Sequence, residues 1–168
     1  MATINKNLSD YDAASIPDGV SMKIAIVVAE WNEKITQGLL NGAYNTLLTH
    51  NVAKENIIVQ HVPGSFELPL AAQTLLEKKR VDAVICLGSV IQGETKHFDF
   101  VCATTAMGIK DVSLKYNKPV IFGVLTTDTV EQALNRAGIK YGNKGAEAAK
   151  TATAMIKCMS RIEELGRK

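Results

Sequence analysis

The densest run of reactive side chains in this 168-residue sequence is Gly88-Ser89-Val90-Ile91-Gln92-Gly93-Glu94-Thr95-Lys96-His97. Gly93 is expected to let the backbone turn tightly. The amides of Glu94 and Thr95 then stand just before a helix N-terminus, where unpaired N–H groups and the helix dipole favour an anion such as phosphate. His97 follows at the helix start, and an imidazole with an ordinary pKa near ~6.5 takes and gives protons at neutral pH. The Walker A pattern and G-x-G-x-x-G are both absent, so neither nucleotide fingerprint applies. His50 and His61 fall at a helix end and within a strand, without comparable company.

Three further segments could complete a site. Glu30-Trp31 puts the single tryptophan at the carboxyl end of an apolar run, where an indole could stack on a planar heterocycle or serve as a half-buried packing residue. In Val62-Pro63-Gly64-Ser65-Phe66-Glu67-Leu68-Pro69, Pro63-Gly64 marks a turn. Ser65 is expected to cap the following helix, and Glu67 falls in its first turn. Glu67 could equally hydrogen-bond a polar heterocycle. Phe122 sits among Val120, Ile121, Val124 and Leu125, where core packing is the default, and Arg136 closes a short helix as a dipole partner or an anion clamp. Lys144, in Gly142-Asn143-Lys144-Gly145, raises the same choice with weaker support.

The elements that must position these residues alternate along the chain. Apolar runs at 23–29, 56–62, 82–88 and 119–125 are rich in β-branched residues and lack alternation, as strands covered on both faces do. Between them, helical spacing is expected over 35–50, 68–79, 98–116 and 145–165. Thr129-Val-Glu-Gln132 fits a capping box opening a short helix that ends near Ala137-Gly138. The expected fold is a three-layer α/β/α sandwich, with a flavodoxin-like four-stranded parallel sheet and helices on both faces. In such sheets ligands sit beyond the strand carboxyl ends where strand order reverses, here between the first and third strands. Residues 1–20 are polar and aperiodic, and are expected to be an arm before a single domain spanning 21–168.

Composition excludes several classes. With 46% hydrophobic residues and a net charge of +2, the chain lacks the signature of a disordered or nonspecific nucleic-acid-binding protein. No apolar stretch reaches membrane-spanning length and no signal-like h-region opens the chain, so a cytoplasmic protein is expected. Cys86, Cys102 and Cys158 are odd in number and widely spaced, and are expected to be buried thiols rather than disulfides or metal ligands. Aromatic residues make up only 5%, so the core must rest on Val, Ile, Leu and Ala.

Taken together, the segments 62–69, 87–99, 119–126, 131–138 and 142–145 closely resemble lumazine synthases in order and spacing, with the match running from about Lys23 to the carboxyl end. The resemblance implies condensation of 5-amino-6-(D-ribitylamino)uracil with 3,4-dihydroxy-2-butanone 4-phosphate, without cofactor or metal. It implies that Trp31 stacks on the pyrimidine; that Ser65, Phe66, Glu67, Ser89, Val90 and Ile91 hold the pyrimidine and ribityl groups; and that Phe122 approaches from an adjacent subunit. Glu94 and Thr95 match the backbone phosphate site, Arg136 the arginine that a neighbour supplies to the phosphate, and His97 the proton-transfer histidine. Three positions depart from the usual pattern: Trp31 replaces the commoner phenylalanine, Gln92 a residue that is often basic, and Glu94 a small residue. The resemblance also implies a homopentamer and riboflavin synthase as a partner, and the short 138–143 connection resembles that of family members that build a shell of about 60 subunits. Two competing classes are a flavodoxin-like signalling module and a shell-forming lumazine- or flavin-binding relative without turnover. Glu30 and Ser89 stand where the acidic cluster and phospho-acceptor of the former would be needed, and His97 and Arg136 argue against the latter.

Overall fold

The computed structural model describes residues 17–166. The four apolar runs form parallel strands β1 (Ile24–Ala29), β2 (Ile57–Val62), β3 (Ala83–Ile91) and β4 (Val120–Thr127), in the order β2-β1-β3-β4. Every residue of β1 is buried, which accounts for its unbroken apolar sequence: it is central and has helices over both faces. Ile24, Ile26 and Val28 face one core with Ile85 and Leu87 of β3. That core is covered by α1 (Glu33–Thr49), α4 (Val130–Arg136) and α5 (Lys144–Leu165). Ala25, Val27, Val84 and Cys86 face the opposite core, under α2 (Leu68–Lys78) and α3 (His97–Tyr116). The three-layer α/β/α arrangement is therefore the expected one. No aromatic side chain among the described residues is fully buried, and the core rests on aliphatic residues as the composition requires.

Helices α1 and α5 meet backbone to backbone. A Cβ on Gly145 would lie 1.9 Å from the Leu39 carbonyl oxygen, so only glycine fits there. Asn143 locks this junction. Its Oδ1 accepts from Gly145 N and Ala146 N at 2.8 and 3.2 Å, while its Nδ2 donates to Gly38 O and Ala137 O at 2.8 and 3.1 Å.

Several expectations need correction. Strand β3 runs three residues past the expected end, so Ser89, Val90 and Ile91 belong to a strand rather than a loop, because β4 continues beside them to Thr127. The capping box is only half reciprocal: Thr129 Oγ1 accepts from Gln132 N at 3.2 Å, but Gln132 Oε1 accepts from Asp128 N. On α5, Ala148 and Ala152 are buried whereas Met155 is exposed. A 22-residue helix is about 33 Å long and outruns the strands beneath it. Of the cysteines only Cys86 is buried, its thiol pushed up to about 12 by desolvation; Cys102 is half-buried and Cys158 exposed. Most of the expected arm, residues 1–16, lies outside the described residues. Within 17–20, Gly19 N donates to His50 O at 2.8 Å and ties the chain to the end of α1.

Candidate active site

A cleft of about 770 Å³ opens at the carboxyl ends of β1 and β3, where the strand order reverses. Its first wall is the turn after β1. Trp31 is 73% exposed there, so it is no packing residue; its indole is presented to the cleft. The second wall is the 3-10 turn Ser65–Glu67, in which Phe66 is 60% exposed and Ser65 is buried. Ser65 does not cap a helix through its side chain, contrary to expectation, because it lies inside the turn. Its carbonyl accepts from Thr105 Oγ1 of α3 at 3.2 Å, which pins the turn against that helix. Gly88 makes the close approach feasible, since a Cβ there would stand 2.5 Å from Ser65 Oγ.

The floor is the end of β3. Register pairs β1 with β3 only through Leu87, whereas β4 accompanies β3 to Ile91. In a parallel ladder alternate residues turn their N–H and C=O to opposite neighbours. Gln92 N bonds Thr127 O of β4, so the backbone groups of Ser89 and Ile91 are turned to the side where β1 has ended. Ser89 Oγ is buried and has no hydrogen-bond partner among the described residues, an arrangement that costs free energy until something pairs with it.

The far end of the cleft is the start of α3. Thr95 Oγ1 accepts from His97 N at 3.3 Å, satisfying one of the orphan amides of the helix N-terminus. His97 is the first residue of the helix, exposed and on the cleft lining. Gly93 behaves differently from expectation. Its φ is not positive and a Cβ there would meet nothing within 4 Å, so its contribution is open space over the loop rather than a turn that only glycine can make. No group of three or more His, Cys, Asp and Glu side chains among the described residues is placed to hold a metal ion.

The family model for 6,7-dimethyl-8-ribityllumazine synthase matches residues 21–160. The chain belongs to the 6,7-dimethyl-8-ribityllumazine synthase family. A protein of that name from Cytophaga hutchinsonii is 60% identical over 156 residues, covering 93% of this chain and 98% of its own. Its namesakes from Parabacteroides distasonis and Porphyromonas gingivalis are 56% and 55% identical, covering 93% and 92% of this chain and 98% and 96% of their own.

In this lumazine synthase family member, the cleft brings together Trp31, Ser65, Phe66, Glu67, Ser89, Val90, Ile91, Thr95 and His97. Three of the expected residues stand apart. Glu94 is exposed and off the lining, although its neighbours Gly93 and Thr95 are on it. Phe122 lies mid-strand on β4, 43% exposed, on the face shared with Val120 and Val124 but beyond the cover of α3. Arg136 ends α4, where Nη1 donates to Gln132 O at 2.9 Å and the guanidinium lies 5.6 Å from the Tyr141 ring centroid. Both belong to the sequence-derived site, yet neither lines the cleft of the chain that carries it. Lys144 is engaged with Glu147 on the first turn of α5.

The structure also adds residues that sequence reasoning did not single out: Asn32 after β1, and Phe98, Phe100, Val101 and Thr104 along α3. The signal for the helical ones was present, since 97, 101 and 104 share one face at helical spacing. Nothing in the sequence marks Asn32.

Proposed function

We propose that this chain condenses 5-amino-6-(D-ribitylamino)uracil with 3,4-dihydroxy-2-butanone 4-phosphate to give 6,7-dimethyl-8-ribityllumazine, phosphate and water, in riboflavin biosynthesis. The observation that carries this reading is a single cleft presenting an exposed indole, an unpartnered buried hydroxyl, the β3 strand end beyond its last pair with β1, and an imidazole at a helix N-terminus. Those are the parts the reaction needs. Trp31 stacks on the pyrimidine, and Phe66, Glu67, Ser65 and the 89–91 strand end hold its polar edge and the ribityl chain. The amides around Glu94 and Thr95 receive the phosphate; the Glu94 side chain itself is exposed and off the cleft lining.

The chemistry then moves protons in sequence. The pyrimidine 5-amino group attacks the ketone and water leaves, giving an imine. A C–H proton is removed as the phosphate departs with the bonding electrons. The ribitylamino nitrogen closes the ring with loss of a second water. His97 accepts and returns these protons, and holding two reactants side by side supplies much of the remaining acceleration.

Assembly belongs to the same reading. Phe122 and Arg136 reach a cleft only if it belongs to a neighbouring copy, and α3 leaves Met107 and Leu114 exposed further along its length, apolar surface that association would cover. A homopentamer, with a 60-subunit shell built from it, accommodates this, with residues 21–168 as the catalytic domain and 1–20 as its arm. A cytoplasmic setting and riboflavin synthase as partner belong to the same proposal; no described helix is long and apolar enough to cross a membrane. The test mixes both substrates with the protein and follows lumazine absorbance. No acceleration over the spontaneous condensation overturns the activity and favours the binding relative without turnover. Light scattering separates a pentamer of about 90 kDa from a shell of about 1.1 MDa, and a monomer removes the shared site.

A further inference from the structure

The connection from β1 to α1 is built unlike an ordinary helix entry. Pairing with the β2 side continues past the end of β1: Glu30 N donates to Val62 O at 2.8 Å, and Trp31 N to Pro63 O at 3.1 Å. The chain then reverses at Asn32, which sits in the left-handed region at φ 61, ψ 43. Two other described non-glycine residues have positive φ, Asn51 and Asn117, and both follow helix C-termini, where that conformation is routine. Asn32 stands instead at a helix N-cap, and its side chain does not cap the helix. Its own carbonyl accepts from Ile35 N and Thr36 N at 2.8 and 3.1 Å, which frees the amide for other use.

That amide crosses the point where strand order reverses. Asn32 Nδ2 donates to Ser89 O at 2.9 Å, taking up the carbonyl that β1 would have paired had it continued. We infer that Asn32 is a positioning residue for the pyrimidine substrate: its side chain replaces the missing strand residue and holds the Trp31 indole and the Ser89–Ile91 edge in one frame. The substrate named here rests on the proposed condensation. The clamp itself does not, since it consists of backbone and side-chain bonds within this chain.

Asn32→Gly keeps the left-handed turn and removes the clamp, while Asn32→Asp keeps the shape and sets a carboxylate against a carbonyl. In Asn32→Gly the expected result is an unchanged thermal midpoint, a KM for the pyrimidine raised about tenfold, an unchanged KM for the hydroxyketone phosphate, and lower emission anisotropy of the single tryptophan. Asn32→Asp matches this at neutral pH and recovers toward the parent's pyrimidine KM only as pH falls to about 4, where the carboxyl gains a proton it can donate. Parent-like pyrimidine KM and anisotropy in Asn32→Gly overturn the inference, and so does an equal rise in both KM values, which marks general loosening. If Asn32→Gly fails to fold, the pH recovery of Asn32→Asp decides. If the parent protein does not condense the substrates, the proposed activity falls, and the anisotropy difference alone decides whether the clamp exists.

Discussion

Strand β3 has two halves with different fates. From Val84 to Leu87 it is buried and paired on both sides, with β1 and β4 as neighbours. From Ser89 to Ile91 it keeps β4 but has lost β1, and its open side forms the floor of the cleft. Both halves are apolar or nearly so. The site arises because one neighbour stops before the other, leaving backbone groups and a serine hydroxyl facing an opening instead of a strand.

The largest expected difference between the halves is in stability. Leu87→Ala should cost about 2–5 kcal/mol in urea unfolding, whereas Ile91→Ala, four residues further on and only half-buried, should cost no more than about 1 kcal/mol. Equal losses would mean that the overhang is as much core as the paired half. At the cleft's far end the effect moves to turnover: His97→Ala should lower it about a hundredfold while leaving pyrimidine binding and the thermal midpoint in place. Parent-like turnover in that variant between about pH 5 and 9 removes the proton-shuttle role.

Ser89→Ala sharpens the contrast through opposite signs. Deleting a buried hydroxyl that has no partner should leave stability unchanged or raise it by up to about 1 kcal/mol, while substrate affinity falls severalfold; a stability loss would show that the hydroxyl serves the fold. The smallest effect belongs to the core side away from the cleft. Burial, and secondly the Lys150 charge, hold the pKa of His50 below its ordinary 6.5. The unfolded chain therefore binds more protons, and the stability this site contributes is full above that ordinary value and declines as pH falls below it toward the lowered folded value. His50→Gln should flatten that slope in pH-dependent unfolding without altering turnover near neutrality.

Much of the site is legible in the sequence, for a physical reason. The 88–97 run, the Ser65-Phe66-Glu67 turn and Trp31 each lie within a few residues of a strand's carboxyl end, and parallel topology collects all such ends at one edge of the sheet. The extent of β3 is not legible there, because Ser89-Val90-Ile91 suits a loop or a strand equally and only the neighbouring β4 decides between them. Ser65 resembles a cap because serine before a helix usually is one. The 3-10 turn and the bond from Thr105 give it another position.

Local chemistry along the chain determined which residues are aliphatic core, which segments alternate as strand and helix, and where a proton-transferring imidazole meets a helix start. Each of these is encoded within a few consecutive positions. Tertiary structure alone decided that Asn32 reaches Ser89 across 57 positions, that Gly145 must admit the backbone of Leu39, and that Phe122 and Arg136 lie away from the cleft of their own chain. Such facts depend on how far one strand outlasts its neighbour and how closely two helices approach, and packing of the whole domain sets those distances.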